Sequence, residues 1–288
     1  AGEPASGSIE IAINDGAGNF VLAGAFGVGP EGSGDLALAA GDLDGDGDLD
    51  LAVTRHEPAG VLRLLFNDGA VFTVGAEKPI AALPVQVFIA DVNGDGAPDV
   101  LTISEGAPSF GVQLGDGKGQ LSPQEPGIPE PIAARGAVAD ITLDGVADLL
   151  APAPGGGSFT AFTGGNGPLL NPIRTFSAEA KDMAVLSGDL DLQGLPDIVL
   201  VFPQSPAGTV NVWPGSAPAE WTNGRRRYTL VRPLTGGLLA ELDFLPGPDL
   251  IASTGQNNIT VLPGDGNGGF SCDAIFDIQG NSSPALLA

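Results

Sequence analysis

Residues 35–54 read DLALAAGDLDGDGDLDLAVT, and the order of residue types in this stretch decides the fold. A short apolar run with small side chains enters, acids fall at alternate positions between glycines, and a second apolar run leaves. Apolar bursts of this length, bounded by Gly and Asp, read as two strands joined by a turn. The arrangement returns as PVQVFIADVNGDGAPDVLTI at 84–103, ARGAVADITLDGVADLLAPA at 134–153 and DMAVLSGDLDLQGLPDIVLV at 182–201. A worn fifth copy, GLLAELDFLPGPDLIAST, occupies 237–254. The first acids of the five loops are Asp42, Asp91, Asp140, Asp189 and Glu241, at spacings of 49, 49, 49 and 52 residues.

A second element alternates with the first: strand, Gly-rich turn, strand. It appears as IEIAINDGAGNFVLAG at 9–24, VLRLLFNDGAVFTVG at 61–75 and FGVQLGDGKGQLSP at 110–123. Looser copies occupy 158–170 and 209–221, and ITVLPGDGNGGFS closes the series at 259–271. Asn-Asp-Gly and Gly-Asp-Gly between alternating hydrophobics mark hairpins, because tight turns need positive φ. Each period therefore holds about four short strands. A repeated four-stranded antiparallel unit of roughly 40–50 residues is a propeller blade.

The expected fold is all-β: a single β-propeller domain over 1–288. Six hairpins predict six blades, with seven and irregular ends as the alternative. The hairpin at 9–24 reads as the outer half of a closing blade. The tail SSPALLA at 282–288 resembles a strand that precedes an Asp loop. A parallel β-helix is the competing architecture, but its coils are shorter than this period.

Composition agrees. The 45 Gly and 25 Pro in 288 residues leave no window for a long helix, while 43% hydrophobic residues suffice for a core. The net charge is −24, from 35 acids against 11 bases. Nucleic acid and anionic membrane are poor partners for such a chain, whose field repels phosphate. Bound cations are favoured. No apolar stretch approaches the ~18 residues of a membrane span. One cysteine, Cys272, excludes an internal disulfide framework and reads as an incidental thiol. A start of small residues without Met or a basic, apolar leader fits a secreted protein whose signal peptide has been removed.

In the loop at 42–50, Asp42, Asp44, Asp46 and Asp50 stand at positions 1, 3, 5 and 9, with Gly45 and Gly47 between. Calcium takes 6–8 oxygens in a flexible shell, so a loop wraps it only if alternate side chains converge while the chain turns sharply. Asp48, at position 7, is read as offering its backbone carbonyl. The loop at 91–99 matches, with Asp91, Asn93, Asp95 and Asp99, and Ala97 at position 7. The loop at 189–197 offers Asp189, Asp191, Gln193 and Asp197 with Leu195 at position 7. That at 140–148 has Asp140, Thr142, Asp144 and Asp148 with Val146 at position 7, and Leu143 replaces the first glycine. The loop at 241–249 has Leu245 and Pro246 at positions 5 and 6, so it is expected to keep only the turn. Magnesium demands stricter octahedral geometry, and zinc prefers His or Cys. Asp-Gly turns also connect strands well without any metal, which is the structural alternative for every copy.

These loops resemble the FG-GAP/VCBS repeats of integrin α-subunit propellers, fungal propeller lectins and bacterial surface proteins. The resemblance runs from about residue 9 to 271. It implies an extracellular binding or scaffold module in which calcium stiffens the blades.

No nucleophile elbow, zinc-protease motif or P-loop is present, and the single histidine, His56, has no partner for catalysis in the sequence. A non-enzyme is expected, with a polysaccharide-acting propeller held as the third reading. Trp213, Trp221, Arg225, Arg226 and Tyr228 cluster in the 52-residue period. Aromatic rings beside Arg can stack on sugars or anchor a protein partner. The alternative is that Trp213 packs between blades while the arginines solubilise a longer hairpin. A lectin or adhesin that binds a glycan or protein, and a structural module of a larger secreted protein, are the two leading functional classes.

Overall fold

Every element assigned in this computed structural model is a β-strand, as the dispersed glycines and prolines require. The structure describes residues 2–3, 7–29, 36–106, 109–128, 132–133, 135–178, 184–202, 208–221, 226–230, 234–242, 245–254, 258–271 and 274–277. Cys272, Arg225 and the tail 278–288 lie outside the described residues. The chain divides into two compact units, one of residues 1–131 with 165–169 and one of 132–164 with 170–288.

The first unit opens with a three-stranded sheet, Gly2–Glu3, Ser8–Asn14 and Phe20–Gly27. Blade 1 follows as an antiparallel meander of Leu36–Gly41, Asp50–Arg55, Val61–Asp68 and Val71–Pro79. Blade 2 repeats it with Pro84–Ala90, Asp99–Ser104, Phe110–Gln113 and Glu125–Pro126.

The second unit holds three more blades. Blade 3 is Ala137–Ala139, Asp148–Pro152, Ser158–Thr163 and Asn171–Ser177. Blade 4 is Ala184–Gly188, Asp197–Phe202, Thr209–Trp213 and Arg226–Thr229, with a two-stranded ribbon, Gly215–Ala217 and Glu220–Trp221, inserted before its last strand. Blade 5 is Leu234–Ala240, Asp249–Thr254, Asn258–Leu262 and Ala274–Asp277.

The β-propeller architecture with antiparallel blades is therefore present, but the blade count differs from expectation. Among the described residues five sheets have four strands, where the six hairpins predict six blades and irregular ends the alternative of seven. The sheet that holds the first hairpin contains no Asp loop among the described residues, so the pair of apolar strands that such a loop joins is not part of it. A two-residue strand takes their place.

The second strand of each blade explains the packing. Asp99–Ser104, Asp148–Pro152 and Asp197–Phe202 are buried at every position. Both faces of such a strand are covered, so its sequence runs apolar without alternation. Within the first unit, Leu43, Ala52, Leu62 and Leu64 of blade 1 share a core with Val87 and Val100 of blade 2. Within the second, Phe159 of blade 3 packs with Ile198 and Trp213 of blade 4, and Val199 of blade 4 with Leu250 of blade 5. Each fully buried Leu or Val contributes roughly 2 kcal/mol, so blades stabilise one another through these shared faces.

Small residues end the first strands for the same reason. A Cβ on Gly41 would lie 2.5 Å from Ile89 Cγ2 of the next blade, an approach that glycine alone permits.

Candidate functional site

Each Asp loop joins the first two strands of a blade, and its ninth residue begins the second. Asp50, Asp99, Asp148, Asp197 and Asp249 are all buried, at 0 to 1% exposure. A buried carboxylate must be hydrogen-bonded. All five solve this identically. One oxygen accepts the backbone N–H of loop position 2: Leu43 at 2.9 Å, Val92 at 3.0, Ile141 at 2.9, Leu190 at 2.8 and Leu242 at 2.8. The other accepts an N–H at the end of the blade's third strand: Asn67, Gly115, Gly164, Gly215 and Gly264.

Four of those five partners are glycine. A Cβ on Gly115 would lie 2.0 Å from the Pro98 carbonyl oxygen, and one on Gly264 2.4 Å from that of Gly247. The position-9 acids, read from the sequence as ligands alone, are thus also the clamp that closes every blade. The readable signal was a Gly or Asn 15 to 18 residues after each of these acids.

Position 1 organises the turn. Asp42 accepts N–H bonds from Gly45 and Gly47, and Asp91 from Asn93, Gly94 and Gly96. Asp140 accepts from Asp144 and Gly145, and Asp189 from Gln193 and Gly194. The loop keeps its shape where glycine is missing: Leu143 and Leu192 adopt φ of 59° and 60° at the place of Gly45 and Gly94.

The turn gathers oxygens. Asp42, Asp44 and Asp50 each bring one carboxylate oxygen within 4.8 Å of the others, and Asp189, Asp191 and Asp197 do the same. Burial pushes the Asp44 carboxyl up, with the neighbouring charges of Asp50, Asp46 and Asp42 adding to it. Burial likewise raises Asp197, with Asp191 and Asp189 contributing. Asp99 is pushed up to about 6 by burial, with Asp95 and Asp91 adding repulsion against the bonds from Gly115 and Val92. Oxygen-only clusters that repel themselves fit a hard divalent cation.

The hairpin aspartates behave oppositely. The Gln120 and Lys118 N–H groups hold Asp116 below the usual carboxylate range, and the Asn19 side chain does so for Asp15. Their charge is already spent on the turn.

The remaining ligand candidates divide. Asp46 and Asp48 gather with Asp68, at the end of the third strand of blade 1, and Asp48 also accepts the Gly69 N–H. In loop 2 the Asn93 amide donates to Asp95, whose other oxygen accepts the Ala97 N–H. In loop 3 the Thr142 hydroxyl donates to Asp148, and Asp144 accepts the Val146 N–H. In loop 4 the Gln193 amide donates to Asp191, and Leu195 packs beside Gly215.

Trp213 and Trp221 lie inside the second unit rather than on a face where a sugar could stack. Trp213 stands edge-on to Phe159 and Phe176, Trp221 edge-on to Phe176, and the Trp221 indole donates to the Pro196 carbonyl at 2.8 Å. The Tyr228 hydroxyl accepts the Phe270 N–H, and Arg226 pairs with Asp265 at 3.2 Å. These residues link blades 4 and 5. The His56 ring nitrogen Nδ1 lies 3.3 Å from the Pro84 carbonyl.

Loop position 2 also reaches the neighbouring turn. The Leu43 carbonyl accepts the Gly119 N–H, Ile141 that of Ala219 and Leu190 that of Gly268, while Val92 accepts that of Gly165 within the first unit. An ordered loop therefore orders the turn beside it.

Comparison with known proteins agrees with this geometry. The model of a family described as FG-GAP-like repeat matches residues 2–53 and 91–151. No curated protein matches the sequence. Among solved structures, a putative 6-phosphogluconolactonase from Bacteroides uniformis is similar at 18% identity and a TM-score of 0.59, over 92% of this chain and 77% of that one. The SapL1 lectin in complex with alpha methyl fucoside is similar at 13% identity and 0.53, over 95% and 89%. BBS1N in complex with ARL6DN is similar at 12% identity and 0.54, over 84% and 68%. At these identities the likeness is one of fold.

Proposed function

Because the chain is a β-propeller with FG-GAP-like repeats, we propose that it is a secreted calcium-binding module that recognises a glycan or protein and catalyses no reaction. One observation carries the metal reading: the convergence of Asp42, Asp44 and Asp50, and of Asp189, Asp191 and Asp197, on turns shaped by their own backbone. Calcium supplies the positive charge that these oxygens lack. Asn93 with Asp91 and Asp95 serves loop 2 in the same way, and loop 3 follows with Asp140, Asp144 and Asp148.

The recognition reading draws on the repeats and on the company of the fold, which includes a lectin holding a fucoside and a propeller bound to a partner protein. The non-enzymatic reading draws on the acids, which stand at metal-ligand spacing, and on His56, whose ring lies against a backbone carbonyl. Among the described residues no helix is long and apolar enough to cross a membrane. A purely structural role in a larger extracellular protein is the second reading, favoured by the position-2 carbonyls that tie each loop to a neighbouring turn.

Titration calorimetry with calcium tests the metal, and a glycan array with and without chelator tests recognition. Calcium uptake that falls on Asp44→Asn and Asp191→Asn is expected. Absence of heat and of bound calcium by elemental analysis would refute it.

A further inference from the structure

Position 2 of the Asp loops carries an apolar residue that is covered in four copies and bare in one. Leu43, Val92, Ile141 and Leu190 are at most 2% exposed, whereas Leu242 of loop 5 is 55% exposed. At three of the covered positions the cover is a hairpin turn of the next blade. The Leu43, Ile141 and Leu190 carbonyls accept the N–H groups of Gly119, Ala219 and Gly268. Two residues after each donor stands a large apolar side chain. Leu121 packs against the core that holds Leu43, Trp221 shares a core with Ile141, and Phe270 shares one with Leu190. The Leu242 carbonyl accepts no hydrogen bond among the described residues.

The turn at 14–20 is the matching half. Its sequence NDGAGNF parallels GDGKGQL at 115–121 and GDGNGGF at 264–270. Asp15 accepts the Ala17 and Asn19 N–H groups, as Asp116 accepts those of Lys118 and Gln120, and Asp265 those of Asn267 and Gly269. Gly18 has a φ of 88°, against 78° for both Gly119 and Gly268. The turn is therefore already shaped to donate, yet the Gly18 N–H has no acceptor among the described residues. A Cβ on Gly119 would lie 2.8 Å from Phe66 Cε1 and one on Gly268 3.4 Å from Asp191 Cβ, while one on Gly18 would meet nothing within 4 Å. Phe20, at the place of Leu121 and Phe270, is 69% exposed.

One chain thus presents a knob, Gly18 with Phe20, and a socket, Leu242, and both stand exposed in the same molecule. We infer that the turn at 14–20 of one copy seats on loop 5 of a second copy. The Gly18 N–H meets the Leu242 carbonyl, and the Phe20 ring covers the Leu242 side chain. The occupant is the chain itself because the pair repeats a junction that this sequence already makes three times internally. Seating it removes two large apolar side chains from water and joins a donor to an acceptor. The two patches differ, so the contact is head-to-tail, and copies add into a filament or close into a ring. Leu245 replaces the position-5 acid of loop 5, so this contact stands apart from the metal reading.

Analytical ultracentrifugation of the full chain across a concentration series tests this, at constant calcium. Sodium chloride at about 0.3 M screens the repulsion between copies of net charge −24. The expected mass rises with concentration. Phe20→Ser and Leu242→Ser, each at an exposed side chain, weaken association about tenfold or more. Mixed one to one, the two variants join one intact knob to one intact socket and stop at two chains. Val21→Ser alters the opposite face of the strand and brings in the serine already present at 122 and 271, so it associates as the parent does. A parent that stays monomeric at every concentration, as it would if its own turn or a different protein met loop 5, overturns the proposal. So does association that survives in Leu242→Ser, where the Phe20 faces would be meeting each other, or a mixture of the two variants that stays monomeric.

Discussion

The Gly264 N–H donates to Asp249 Oδ1 at 2.8 Å, in the one loop whose other ligand positions have decayed. The second oxygen of Asp249 accepts the Leu242 N–H, also at 2.8 Å. Glu241, Leu245 and Pro246 have drifted from the pattern, yet this pair of bonds is the same as in blades 1 to 4. The ninth residue therefore answers to blade closure first, and to the metal second.

Two kinds of dependence follow. Asp249→Ala strands the buried Gly264 N–H and the part-buried Leu242 N–H and should lower stability by about 2–3 kcal/mol, with or without calcium. Asp50→Ala should cost a similar amount in chelator and more in calcium, because it also removes a ligand. Denaturant titrations of both variants in the two conditions measure the difference. Equal calcium dependence in the two variants would contradict the separation of roles.

The raised carboxylates give the calcium-free protein an inverted pH response. Asp99 titrates at about 6 in the folded chain against 3.8 for a free aspartate, so the folded state holds the extra proton between these values. Stability from this group is complete below pH ~4 and is lost as pH rises through ~6, a change of roughly 3 kcal/mol. Asp44 and Asp197 are shifted in the same direction and add to it. Chelated protein should melt higher at pH 5 than at pH 7, and calcium should flatten or reverse that trend. A melting series in chelator whose midpoint rises from pH 5 to 7 would contradict it.

Leu143 and Leu192 hold left-handed backbone at positions where loops 1 and 2 place glycine. Both side chains are exposed, so little packing repays a conformation that costs an L-residue about 1–2 kcal/mol. Glycine gives back part of that gain through a freer unfolded chain. Leu143→Gly and Leu192→Gly should each stabilise by about 0.5–1 kcal/mol, read from the denaturation midpoint at constant slope.

The extent to which the sequence foretold this structure differs by layer. Blade strands and Asp loops were legible because the period of 49 residues repeats both apolar bursts and acid spacing. The blade count was not, since a hairpin such as 9–24 looks the same whether or not inner strands precede it. The clamp between Asp99 and Gly115 was hidden for another reason. A lone glycine after a strand does not reveal that its N–H meets a carboxylate 16 residues away; only the recurrence of Gly or Asn 15 to 18 residues after each acid, across all five copies, carries that signal. Convergence in loop 1 was also coarser than the spacing implied, since Asp46 turns toward Asp48 and Asp68 while Asp42, Asp44 and Asp50 gather.

Trp213 and Trp221 supply the clearest contrast between a recognition residue and a core residue. Aromatic–arginine clusters in sequence attract a ligand reading, yet Trp213 is 3% exposed and stands edge-on to Phe159 with ring centroids 5.7 Å apart. Trp221 meets Phe176 at 5.0 Å and hydrogen-bonds Pro196, the residue just before the clamp of blade 4. Trp213→Ala should cost about 3–5 kcal/mol through the cavity it leaves. Trp221→Phe should cost less, chiefly the indole bond to Pro196, about 1 kcal/mol. Because Pro196 adjoins Asp197, that variant should also weaken calcium at Asp189, Asp191 and Asp197 while leaving Asp42, Asp44 and Asp50 unaffected. Calorimetry on Trp221→Phe reads both effects. A variant of unchanged stability that has lost binding of a glycan or protein would return the ring to a recognition role.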